Sequence, residues 1–73
     1  DRAEHVLAFD EAFGRLVDHE PRVADVVRLR FFAGLTVEQA AEALGISERT
    51  VNNDWGYARA WMARELERHD GEA

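Results

Sequence analysis

The sequence predicts an all-α domain of four helices whose last two form a helix-turn-helix, the architecture summarised as four-helix, C-terminal helix-turn-helix. Three observations predict it. Apolar residues recur at spacings of three and four, and nowhere alternate over the length of a strand. Helix stops and starts (Gly34, Thr36, Gly45 and Ser47) punctuate the chain. The turn Gly45-Ile46-Ser47 separates a short amphipathic segment from a long one, the proportions of a helix-turn-helix.

The first helix is expected from about Arg2 to Asp18. Val6, Phe9, Phe13 and Leu16 form its apolar face, widened by Ala12 and Val17. The second opens at Pro21, whose missing N–H costs nothing at a first helical position. It is expected to reach about Ala33, with Gly34 as its stop. Val23, Val26, Val27 and Phe31 make one stripe, while Leu29, Phe32 and Ala33 lie off it, so this helix is expected to be central. Arg30 falls inside the stripe and requires a partner if buried, with Glu38 or Asp54 as the candidates.

The third helix starts at Thr36, where Thr-x-x-Gln to Gln39 fits a capping box. Val37, Ala40, Ala41 and Leu44 share one face, and the alanine pair permits close approach of another helix. Gly45 ends it, and Ile46 is expected to plug the junction. Ser47 is a good N-cap for the fourth helix, expected to run to about Arg68 with a fraying tail from His69 to Ala73. Its core stripe is Val51, Trp55, Ala58, Met62 and Leu66. Tyr57 and Trp61 are expected to pack against the first helix.

Composition narrows the function. The chain has 73 residues, a formal net charge of -6 and no cysteine, which excludes disulfides and thiolate metal sites. No apolar run is long enough for a membrane span and no signal-peptide pattern opens the chain, so a cytoplasmic setting is expected. Residues 1–73 read as one domain, and a start at Asp1 reads as a fragment of something longer. The histidines are scattered, and no nucleophile–base pair, phosphate loop or metal-ligand spacing occurs. No enzyme activity, cofactor, metal or small-molecule substrate is expected.

The charge is uneven. Residues 1–46 hold five Arg and nine acidic residues, net -4, whereas 47–69 hold four of each and are neutral. The long second helix of the motif therefore does not repel DNA, although phosphate neutralisation by this chain alone should be weak. In a helix-turn-helix the second helix enters the major groove and its N-terminal residues meet base edges. With Val51 at zero, Asn52, Gly56, Arg49 and Asn53 fall between about 100° and 200° on the wheel, away from the core. Arg and Asn are the side chains that pair bidentately with guanine and adenine. Gly56 clears the same face for close approach of a duplex. Arg59 and Arg64 lie farther along, within reach of phosphates. A merely solvated polar face is the plainer reading of such residues. The preceding helix and Gly-Ile-Ser turn favour DNA reading over it.

The stretch from Glu20 to Glu67 resembles region 4 of bacterial RNA polymerase sigma factors of the extracytoplasmic-function group. The likeness rests on Leu29-Arg30-Phe31-Phe32-x-Gly34-Leu35-Thr36, on Ala40-Ala41-Glu42-x-Leu44-Gly45-Ile46-Ser47 followed by Thr50-Val51, and on Ala58-Arg59-Ala60 with Arg64-Glu65-Leu66. The resemblance implies reading of the promoter −35 element, docking on the β-flap of the polymerase core, and masking by an anti-sigma protein. By position it implies DNA-binding roles for Ser47, Glu48, Arg49, Thr50, Asn52 and Asn53, with Arg59 on a phosphate. Many family members carry Lys or Arg where this chain has Asn52, Asn53 and Asp54, and a larger residue at Gly56. Asp54 lies near the core edge of the wheel, so pairing with Arg30 is expected in place of DNA contact. Two alternatives stand beside this reading. One is the DNA-binding effector domain of a two-component or quorum-sensing regulator, whose helix-turn-helix has a similar pattern. The other is a protein-interaction module without DNA reading, motivated by the net acidity.

Overall fold

A computed structural model describes the backbone of residues 2–72 and the side chains of 2–68; most of the described residues are helical, with no strand among them. Helix α1 spans Arg2–His19, α2 Pro21–Val27, α3 Val37–Leu44 and α4 Glu48–Glu72. Helix α2 passes without a break into a π-turn, Arg28–Phe32. The α1–α2 joint is a single residue, Glu20, whose N–H donates to the Leu16 carbonyl at 2.7 Å. Pro21 then takes the first helical position, where no N–H is needed.

The apolar stripes meet in two clusters. In the first, Ala12 and Leu16 of α1, Val23, Ala24 and Val27 of α2, and Ala58 and Met62 of α4 pack together. In the second, Val26 of α2 meets Ala40 and Ala41 of α3 and Val51 of α4. Helix α2 is thus central, as its several apolar sides require. The alanine pair lets α3 lie close against its neighbours. Trp55 is partly buried and packs on both clusters, joining them. Leu44, Leu66 and Ile46 are partly buried, and Ile46 closes the second cluster at the α3–α4 turn.

Local signals set the boundaries. Thr36 and Gln39 form the reciprocal capping box, with Thr36 Oγ1 accepting from the Gln39 N–H at 3.1 Å and Gln39 Oε1 accepting from the Thr36 N–H at 2.9 Å. Gly45 adopts φ 67°, the left-handed conformation that releases the chain from α3. The Ile46 N–H then donates back to the Ala41 carbonyl at 3.1 Å.

Several expectations are corrected. Phe31 is 61% exposed and does not belong to the core stripe. The cause is the π-turn, in which the Ala33 N–H donates to Arg28 across five residues. A wider turn breaks the 100° step, so residues beyond Val27 face differently from an α-helical wheel. Val6 is 58% exposed as well, because the packed clusters contain no residue before Phe9. Arg30 meets neither Glu38 nor Asp54. It donates to the Leu35 carbonyl at 2.7 Å and lies over the Trp55 ring at 5.4 Å. Trp61 packs on the first cluster, but Tyr57 is 48% exposed and turns away. Helix α4 continues past Arg68 to Glu72; the side chains of the tail expected to fray, and Ala73, lie outside the described residues.

Candidate nucleic-acid interface

Helix α3, the Gly45-Ile46-Ser47 turn and α4 form the helix-turn-helix, held together by the second cluster. Ser47 Oγ accepts from the Thr50 N–H at 3.1 Å and its hydroxyl donates to Thr50 Oγ1 at 3.0 Å. This N-cap satisfies a donor that the first turn would leave bare. Ser47 and Thr50 therefore spend part of their hydrogen-bonding capacity on shaping the helix start. Thr50 is also half-buried, whereas Glu48, Arg49, Asn52 and Asn53 are exposed.

Arg49, Asn52 and Asn53 make no side-chain hydrogen bond or ion pair to another described residue, so their donors and acceptors are available. Gly56 lies on the same flank, and a Cβ there would meet nothing within 4 Å. The position therefore opens outward and not onto a neighbouring side chain.

Asp54 is an acid on the same helix. It is only 7% exposed and is held by Arg22 of α2 through Nε at 2.8 Å and Nη2 at 3.0 Å. That hydrogen-bonded pair raises the Arg22 pKa above its ordinary value, so the guanidinium stays charged opposite the carboxylate. On the wheel Asp54 sits about 100° or more from each of Arg49, Asn52, Asn53 and Gly56. Its charge is neutralised on the far flank of α4. Farther along that flank, Glu65 accepts from Arg15 of α1 at 3.1 Å. Two ion pairs thus hold α4 against α1 and α2 from behind. Neither was legible in the sequence, because nothing local relates Arg22 to a residue 32 positions away.

Arg59 stands apart from the other named positions. It is exposed, yet its side chain lines an apolar groove of about 320 Å³ between α1, the π-turn and α4. Phe9, Phe31, Trp55, Met62 and Leu66 are among its walls. Beside it the phenylalanines form a cluster: Phe9 stacks on Phe31 at 5.9 Å, Phe31 meets Phe32 edge-on at 5.1 Å, and Phe13 meets Phe32 at 5.7 Å. Arg28 lies over the Phe13 ring at 5.5 Å. Sequence reasoning missed this surface; the adjacent phenylalanines 31 and 32 were its one local sign.

Among the described residues no cluster of acidic, His or Cys side chains is arranged to hold a metal, and no helix is long and apolar enough to cross a membrane. No match was found to a curated protein or to a solved structure. One family's sequence model, described as ECF sigma factor, matches residues 1–68, which is nearly the whole chain. With that match and a four-helix, strand-free fold carrying a helix-turn-helix, the chain belongs to the extracytoplasmic-function sigma factor family.

Proposed function

We propose that this chain, a member of a family that acts in transcription initiation, reads the promoter −35 element with the first turns of α4 and docks on the β-flap of the RNA polymerase core. The observation that carries the reading is the flank formed by Arg49, Asn52, Asn53 and Gly56. Three unengaged side chains suited to base edges surround a cleared position, and Asp54 is neutralised behind them, while Glu48 stays exposed at the helix start. Glu48, Ser47 and Thr50 complete the edge of this face, with Ser47 and Thr50 mainly shaping the helix start. The net charge of -6 fits weak intrinsic affinity for a polyanion. Attachment to the polymerase offsets that weakness by raising local concentration, and it places the work in the cytoplasm.

Selection from a randomised duplex pool by the chain bound to polymerase core tests the reading. A single enriched element is expected. Replacing Arg49 and Asn53 together by Ala should erase the enrichment, since each bidentate base contact supplies about 1–3 kcal/mol of discrimination. Unchanged enrichment by the double variant would remove these residues from base reading. A symmetric pair of half-sites would instead support a dimeric regulator.

A further inference from the structure

We infer that Arg22 and Arg30 are positioning residues for base reading, an inference that rests on the proposed reading of DNA by α4. The two arginines flank the stretch of α2 that packs on α4. They grip Asp54 and Trp55 and so fix the rotation of the reading helix about its own axis.

Successive residues of α4 are held from one continuous helical stretch. Arg22 donates to both carboxylate oxygens of Asp54, at 2.8 and 3.0 Å. Arg30 lies over the Trp55 ring at 5.4 Å and donates to the Leu35 carbonyl at 2.7 Å. Leu35 immediately precedes the Thr36 cap of α3, and its own N–H donates back to the Leu29 carbonyl at 2.9 Å. Arg30 therefore ties the start of α3 to α4, the two helices of the motif. Its Nε is buried with no hydrogen-bond partner among the described residues. That costs stability which an arginine serving only as a surface cation would keep.

The grips fall on opposite sides of the buried line of α4, which Val51 and Ala58 mark. On the wheel Asp54 lies about 50° to one side of that line and Trp55 about 50° to the other. Turning the helix either way pulls one of them from its arginine. The packing between them resists rotation less. Val26, Ala40, Ala41 and Val51 are small and apolar. Apolar contact has no preferred direction, whereas a bidentate arginine–carboxylate pair does.

Rotation matters because the reading side chains end far from the axis. At a radius of about 5–6 Å, a turn of about 20° carries a side-chain tip about 2 Å. A hydrogen bond of about 2.9 Å does not survive that displacement. Arg49, Asn52 and Asn53 would then miss base edges, while sequence-independent attraction to phosphates would persist. The grips thus bear on discrimination between sequences, not on attachment to DNA.

The test uses the chain bound to bacterial RNA polymerase core and two duplexes. One is the element that the unaltered chain enriches from a randomised pool; the other is a scrambled duplex of the same composition. The ratio of the two affinities is measured for R22Q, R30Q, R30K and R15Q, at a temperature where circular dichroism of each free chain shows it folded. R22Q and R30Q are each expected to lower the ratio by about tenfold, the worth of one bidentate base contact, by weakening the enriched element. R30K keeps a cation over Trp55 and a donor for the Leu35 carbonyl, and should retain most of the ratio. R15Q breaks the Arg15–Glu65 pair, which holds the same helix about three turns farther on, and should leave the ratio unchanged. A ratio unchanged in R22Q or in R30Q would overturn the inference and leave base reading intact. Equal weakening on both duplexes, with a salt slope reduced by about one, would make that arginine a phosphate contact and overturn it likewise. An equal fall in R15Q would reduce the effect to lost stability and also overturn it. Failure of the unaltered chain to enrich any element would remove base reading itself, and the positioning role with it.

Discussion

Trp55 is the residue on which the fold's unity depends, and its truncation has a calculable effect. The ring packs on both clusters and lies 5.4 Å from the Arg30 guanidinium carbon. Replacing a core Trp by Ala costs about 3–5 kcal/mol. Because Trp55 is only partly buried, the low end applies, about 3 kcal/mol, and this includes the lost Arg30 contact. A domain of this size has a total stability of roughly 4–11 kcal/mol. The variant should therefore stay folded at low temperature but melt about 12–24 °C lower. Thermal unfolding followed at 222 nm reads this directly. Tyr57→Ala is the internal control. Its side chain is 48% exposed, and the change should stay within about 0.5 kcal/mol. If Trp55→Ala melts within about 4 °C of the parent, the two clusters hold together by other means and the reasoning about Trp55 is refuted.

Two further predictions address the motif's framework. Gly45→Ala should cost about 1–2 kcal/mol although its Cβ would meet nothing, because φ 67° strains any L side chain; an equal urea midpoint would contradict this. Arg22→Asp and Asp54→Arg should each lower the melting temperature, and the two together should recover part of the loss, since the bidentate geometry is restored in reverse; no recovery in the double variant would show that the pair does not join α2 to α4.

Legibility in the sequence followed the range of each interaction. The capping box at Thr36 and Gln39, the left-handed Gly45 and the Ser47 cap are all settled within about five residues, and each stands where local chemistry puts it. The stripe of α4 was legible because that helix is regular through the core, so Val51, Ala58 and Met62 are buried in turn. The exposure of Arg49, Asn52 and Asn53 on the opposite flank followed from the same wheel. Phe31 was not legible because the wheel presumes a constant period, and the π-turn breaks it. Partners of Arg30 and Asp54 were misjudged for another reason. A wheel states that a charge faces inward, but a carbonyl such as that of Leu35 or an arginine from another helix is supplied by tertiary structure. The groove beside Arg59 needs three elements at once, and no single helix contains it.

The π-turn at Arg28–Phe32 makes the aromatic surface depend on residue count. Deleting one residue there would let α2 close its ordinary turns and rotate everything that follows by about 100°. Phe31 would swing toward the interior, and the groove would lose a wall although almost every side chain remained. Scanning the surface by substitution would never expose this dependence, because no replacement alters the number of links in the turn. Chain length between Val27 and Gly34 is itself a determinant of what this domain can bind, and insertions or deletions there are the changes that would create or abolish the surface in one step.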